Sequence, residues 1–171
     1  MNDRLQVKSV KHSQFASHET LCFECSVYFD GKKVGIAEND GRGGETYISF
    51  TNRDVQKTVY DWAKTQPKIV TDLPSIDPQT EENFSYDFTP ENGVDDLVSE
   101  FLDLRDLKRN LKAKLLIRHD ESKKGQFSSV KLLPTDTVES LSEAVIAENK
   151  FKNPVVLNLL PIEEALKVWK S

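Results

Sequence analysis

Cys22 and Cys25 stand three apart in a CxxC, and His12 and His18 lie just ahead of them. Thiols and imidazoles in such proximity suit zinc binding or thiol–disulfide exchange. The surrounding pattern argues against both. Leu21, Phe23, Cys25, Val27 and Phe29 alternate with Cys22, Glu24, Ser26 and Tyr28, which is the period of an extended strand, so an offset of three sends the two thiols to opposite faces. Redox CxxC pairs sit instead at a helix N-terminus, where the dipole stabilises a thiolate, and the Cys/His spacing matches no zinc finger. The expectation is one core thiol and one surface thiol, with no metal, no cofactor and no disulfide framework.

The second chemical candidate is the run Asn39, Asp40, Gly41, Arg42, Gly43, Gly44. Backbone N–H groups in a glycine-rich loop can form a nest for an anion, with Arg42 clamping a phosphate or carboxylate and Asp40 adding a polar contact. The competing reading is a plain connection between strands. A Walker loop needs GxxxxGK[ST] opening a helix and a Rossmann loop needs GxGxxG between strand and helix, and this run fits neither context. Asp40, Glu45, Asp95 and Asp96 offer carboxylates for acid–base or metal chemistry, but no base, nucleophile or histidine set is identifiable beside them. Asp95 and Asp96 also diverge by about 100° as neighbours on a helix. No catalytic residue is assigned.

Charge is the third candidate. Residues 69–104 hold ten acidic side chains and no Lys or Arg, whereas residues 105–133 hold nine basic against three acidic. A helix over 91–114 would place acids at its start and bases at its end, as its dipole prefers. That does not explain acidity across the preceding connection. Asp77, Glu81, Glu82, Asp87, Asp95, Asp96 and Glu100 are therefore the expected surface for a basic protein partner, with the 105–133 segment as an alternative surface for nucleic-acid phosphate.

The elements that must position these groups follow from periodicity. A first strand carries Leu5 and Val7. The alternation of residues 21–29 makes a second strand, Asp30-Gly31 a type I′ hairpin turn, residues 33–38 the return strand, and residues 45–50 a further strand. Thr51-Asn52 then caps a helix with Val55, Val59, Trp62 and Ala63 on one stripe, ending before Pro67. Residues 67–92 read as a long proline-interrupted connection in which FSYDF can make an irregular edge strand. Val94, Leu97, Val98, Phe101, Leu104, Leu107 and Leu111 mark the longest helix. A hairpin of 115–119 with 127–133, a helix capped at Asp136 or Thr137, a buried strand over 155–160 and a last helix opened by Pro161 complete the chain. The fold class is α+β: an N-terminal antiparallel meander, then helices alternating with a few strands. The expected organisation is a meander with a short helix over 1–66, the acidic connection over 67–92 and the mixed remainder over 93–171, in one compact domain.

ASHET, VYFDGKKVG and NDGRGG, in that order over roughly the first 50 residues, resemble a segment of small uncharacterised proteins of bacteria and their phages or mobile elements, which share an ET-rich strand, a DGK hairpin and an NDGxGG loop. The resemblance implies a bacterial or phage origin and brings no activity with it.

A chain of 171 residues, 37% hydrophobic and 30% charged, suits one soluble domain burying about 70% of its unfolded surface. No run approaches the roughly 18 apolar residues of a membrane span, and the first residues lack the apolar core of a signal peptide, so the expected location is the cytoplasm. The reading is a small non-enzymatic adaptor or inhibitor that docks a protein partner through its acidic surface. The alternatives are a nucleic-acid-binding module on the basic segment, or a hydrolase or metal-dependent enzyme at the glycine loop.

Overall fold

The alternation of the N-terminal third closes into a four-stranded antiparallel meander of β1 (Leu5–His12), β2 (Cys22–Phe29), β3 (Lys32–Asp40) and β4 (Tyr47–Phe50), paired in chain order. The computed structural model describes residues 4–74, 83–123 and 125–171. Among these are nine strands and four helices, in the predicted α+β arrangement. Two compact units divide the chain, Met1–Ser99 and Glu100–Ser171. The first holds 17 acidic and 10 basic residues (−7), the second 11 acidic and 13 basic (+2).

In the first unit, Asp30 (φ 50°) and Gly31 (φ 76°) form the two-residue turn between Phe29 and Lys32, the left-handed pair that a type I′ turn requires. Arg4 holds Asp30 through two 2.7 Å hydrogen bonds and lies over the Phe29 ring. Phe23, Cys25, Val27 and Phe29 are buried together with Val34, Ala37 and Ile48 of the next two strands. Helix α1 (Arg53–Ala63) starts where the Asn52 side chain accepts from the Val55 amide at 2.9 Å. It buries Val59, Trp62 and Ala63, and Trp62 meets Phe29 and Phe88 edge-on at 5.1 and 5.7 Å. Each such aromatic pair adds about 0.5–1.5 kcal/mol beyond area burial.

The connection after α1 is more regular than its prolines suggest. β5 (Ile69–Pro74) and β6 (Asn83–Tyr86) form an antiparallel pair of their own. Pro74 sits at the strand end, where a missing N–H interrupts little of the ladder. Residues 75–82, with the predicted Asp77, Glu81 and Glu82, lie outside the described residues. Helix α2 (Pro90–Ala113) follows, and the Thr89 hydroxyl caps it by accepting from the Asn92 amide at 3.2 Å. Pro90 stands just inside the helix start, where no intrahelical donor is needed.

In the second unit, β7 (Lys114–Arg118) lies between β8 (Ser128–Lys131) and β9 (Val155–Val156). Leu116 joins Leu107, Leu157 and the last helix, α4 (Ile162–Lys170), through Ala165 and Leu166. Leu115 and Ile117 join Val145 of α3 (Val138–Ala147) and Val156, so β7 is apolar on both faces. The strand expected over 155–160 is shorter than its apolar run. Only Val155 and Val156 pair, and Leu157–Leu159 turn into a 3-10 helix. Asn158 is the cause: its side chain accepts from the Leu116 amide at 2.9 Å and donates to the Leu111 and Lys114 carbonyls, replacing strand backbone as the partner of β7. No helix among the described residues is long and apolar enough to cross a membrane.

Candidate functional site

The glycine loop and the acidic start of α2 meet at one residue, Thr46. On the loop side, Asn39 at the end of β3 turns inward and is 8% exposed. Its carbonyl oxygen accepts from the Thr20 hydroxyl (2.8 Å) and the Gly41 amide (2.9 Å), and its NH2 donates to the Gly44 carbonyl (3.0 Å) and Thr46 Oγ1 (3.2 Å). The Arg42 amide donates to Asp40 and the Gly43 amide to Thr20. The Gly41 carbonyl accepts from the amides of His18, Glu19 and Thr20. Gly41 has φ 81°, and a Cβ there would lie 2.3 Å from the Ala16 carbonyl oxygen, so the position requires glycine on two counts. An anion nest needs converging amides with nothing to bind. Here the amides of Gly41, Arg42 and Gly43 already have acceptors inside the protein.

On the other side, Thr46 donates a short hydrogen bond to Asp95 Oδ1. Asp95 faces a cleft of about 650 Å³. Glu45, Thr46 and Tyr47 bring the end of the loop and the start of β4 to it. Tyr60 comes from α1, Tyr86 and Asp87 from the end of β6, and Glu91, Asn92 and Asp95 from the capped first turns of α2. Among the described residues, four carboxylates and three phenol rings therefore line it, and no Lys or Arg does.

The Tyr60 hydroxyl donates to Glu91 Oε1 at 2.5 Å, and burial together with this carboxylate pushes the phenol up to about 12. Tyr60 thus stays protonated and keeps Glu91 as an acceptor. Burial also raises the pKa of Asp95, and the charges of Asp96 and Glu91 push it the same way, against the Thr46 hydrogen bond. Both effects have one physical meaning: negative charge has gathered around Asp95 and Glu91 where solvent is partly excluded. At the rim Asp87 pairs with Lys68 at 3.3 Å, with both side chains well exposed, an arrangement that screening leaves weak. Tyr47 is 64% exposed. Such a cleft has the chemistry for an ammonium or guanidinium group, held by carboxylates and by ring faces.

A second hollow of about 690 Å³ on the outer face of the meander shares Glu45 and Tyr47 with the cleft. Its carboxylates are answered in part by Lys11, which bonds Glu24 at 2.8 Å.

The predicted acidic residues separate under this geometry. Asp95 lies in the cleft and Asp87 at its rim. Asp96 is exposed and lies with Asp95 on a smaller hollow of about 320 Å³ beside Asn39 and Gly44, outside the cleft, and Glu100 lies half-buried on the part of α2 that belongs to the second unit. Glu45, which the sequence offers only as a carboxylate for acid–base or metal chemistry, joins Asp87 and Asp95 on the cleft, while the sequence reading missed Glu91 and all three tyrosines as site residues. Outward phase on β4 and β6 marks Tyr47 and Tyr86; Tyr60 has no such signal, since it adjoins the apolar stripe of α1.

The two thiols do lie on different faces. Cys22 is half-buried, Cys25 is 2% exposed, and both are free. Burial pushes the Cys25 thiol up to about 11, the reverse of an activated nucleophile. Ser17 Oγ stands 3.4 Å from His12 Nε2 but is occupied by the Ser13 carbonyl and the Cys22 amide, both at 2.8 Å, so it holds a turn. Among the described residues no group of three His, Cys, Asp or Glu side chains is placed to hold a metal ion. In the basic segment, Arg105 and Arg109 flank Asp106, and Arg118 donates to the Lys123 and Gln126 carbonyls. These arginines tie the helix and the β7–β8 turn.

The chain matches no family model, and neither a curated protein nor a solved structure is significantly similar to it.

Proposed function

We propose that this chain is a small, non-enzymatic docking protein, an adaptor or inhibitor of the bacterial or phage cytoplasm, and that the cleft beside Thr46 receives a basic side chain of a protein partner. One observation carries the reading: Glu45, Asp87, Glu91 and Asp95 line a tyrosine-walled space whose nearest cation among the described residues is the exposed Lys68, paired with Asp87 at the rim. A lysine or arginine entering it would gain charge-assisted hydrogen bonds and contact with ring faces, the latter worth about 0.5–2 kcal/mol. It would also relieve the repulsion that raises Asp95. The −7 charge of the unit would steer a basic partner towards it and speed encounter more than it tightens the complex.

The test is affinity capture from a bacterial lysate with and without nuclease, comparing the parent with a Glu45→Lys/Asp87→Lys variant. Both substitutions fall on exposed side chains, so folding is preserved. A stoichiometric protein retained by the parent, released by salt and absent from the variant supports the reading. A protein retained equally by both, or recovery only of nuclease-sensitive material, refutes it.

A further inference from the structure

Beside the cleft runs the one edge of the meander that leads into it. β4 pairs with β3 through Gly35↔Phe50, Ile36↔Ser49, Ala37↔Ile48 and Glu38↔Tyr47, and the next amide, Thr51, donates to the Val34 carbonyl at 2.9 Å. Bonded and non-bonded pairs alternate in an antiparallel ladder. Since Thr51 is bonded, Ser49 and Tyr47 are bonded too, and the N–H and C=O groups of Ile48 and Phe50 face away from β3. β4 is the last strand of its sheet, and among the described residues neither of these two receives another hydrogen bond.

A groove of about 270 Å³ follows this edge, with Ile48, Ser49 and Phe50 on one side and Arg53, Gln56 and Tyr60 of α1 on the other. It shares Tyr47, Tyr60 and Glu91 with the acidic cleft. The groove thus has the Arg53 cation towards one end and opens at the Tyr47 end onto the carboxylates of the cleft.

We propose that the partner's basic segment binds in extended form as a fifth strand on β4, its backbone bonding Ile48 and Phe50 and one lysine or arginine side chain entering the cleft. This rests on the docking reading above and specifies its geometry. Charge complementarity selects the occupant: a strand carrying a cation where it passes Tyr47 and neutral or acidic side chains where it passes Arg53. Backbone pairing provides the hold, and side chains alternating along the added strand provide the selectivity. Natural edges are commonly kept short or charged to prevent unwanted pairing. A four-residue edge opening into an acidic cleft accepts basic strands and repels acidic ones.

The experiment uses the unaltered protein and a blocked hexapeptide in which valine alternates with arginine in one half and with threonine in the other, made also in two backbone N-methylated forms, one for each alternate set of amides. All three peptides carry the same charge. An added strand turns only one set of amides towards β4, so one methylated form should bind about tenfold weaker while the other matches the parent peptide. Hydrogen exchange at the Ile48 and Phe50 amides should slow on binding, with Tyr47 and Ser49 unchanged. If both methylated forms bind as the parent does, or both weaken equally, the added strand is wrong and the docking reading stands. If no arginine peptide binds at all, both fall.

Discussion

The loop of residues 39–44 and the cleft on the far side of Thr46 look alike in composition, each being polar and built at the end of a strand. They differ in what their polar groups have left to bind. In the loop, donors and acceptors close on one another: Asn39 uses both ends of its amide, and three loop amides find acceptors within the protein. In the cleft, four carboxylates present several lone pairs each, while the described residues supply the hydroxyls of Thr46 and Tyr60 and the exposed Lys68 amine. A glycine-rich loop thus serves the fold, and an acidic helix start keeps more acceptors than the described residues fill. Substitutions on the two sides should separate stability from binding.

The largest effect is expected at Gly41. Gly41→Ala forces a side chain into the left-handed region and against the Ala16 carbonyl, and should cost about 2–4 kcal/mol in urea unfolding. Gly31→Ala, at a similar φ but in open space, should cost only about 1–2 kcal/mol. Equal losses would mean that the loop is not held as described. Asn39→Ala should follow at about 2–3 kcal/mol, since it leaves the buried partners of its amide unpaired, while the fraction that stays folded binds arginine peptide as before. Glu45→Lys/Asp87→Lys should do the opposite: stability within about 0.5 kcal/mol of the parent, with peptide affinity reduced at least about tenfold.

The smallest effect concerns pH. Asp95 is an acid whose folded pKa lies above its unfolded value, so its proton is bound more tightly in the folded state. The stabilisation from that proton is complete below the ordinary carboxylate value of about 3.9 and is lost as pH rises through the folded pKa. Asp95→Asn has no proton to lose there. Urea unfolding at successive pH values should show the stability difference moving in the variant's favour as pH rises through this window, by less than about 1 kcal/mol. Arginine-peptide binding should move with it, weakening in the parent on acidification as Asp95 takes up its proton.

What the sequence made legible was local. The Asp30-Gly31 turn, the Asn52 cap and the stripe of α1 each depend on residues a few positions apart, and the structure places them as expected. The stripe of α2 departs at one turn, where Phe101 is 41% exposed and Leu102, outside the predicted stripe, is buried. That Asp95 reaches the cleft and its neighbour Asp96 does not is consistent with their divergence by about 100° on a helix. The β5–β6 pair was obscured because its prolines weigh against a strand wherever they stand, and the end of the 155–160 run because one side-chain amide, Asn158, took over a backbone role across more than 40 residues. The cleft was half visible. Its acids stood out as charge, but Tyr47, Tyr60 and Tyr86 come from three elements and become neighbours only when those elements pack. In the loop, the glycines were visible and their use was not, since it depends on Thr20 reaching Asn39 from 19 residues away.

The most direct test of the cleft is a calorimetric titration of the protein with the same blocked arginine hexapeptide and with its counterpart carrying glutamate in place of arginine, at low and at physiological salt. The account predicts one arginine peptide bound per chain, weaker at higher salt, absent in the Glu45→Lys/Asp87→Lys variant, with no binding of the glutamate peptide. Equal binding of both peptides, or arginine-peptide binding that survives the charge reversal, would contradict it.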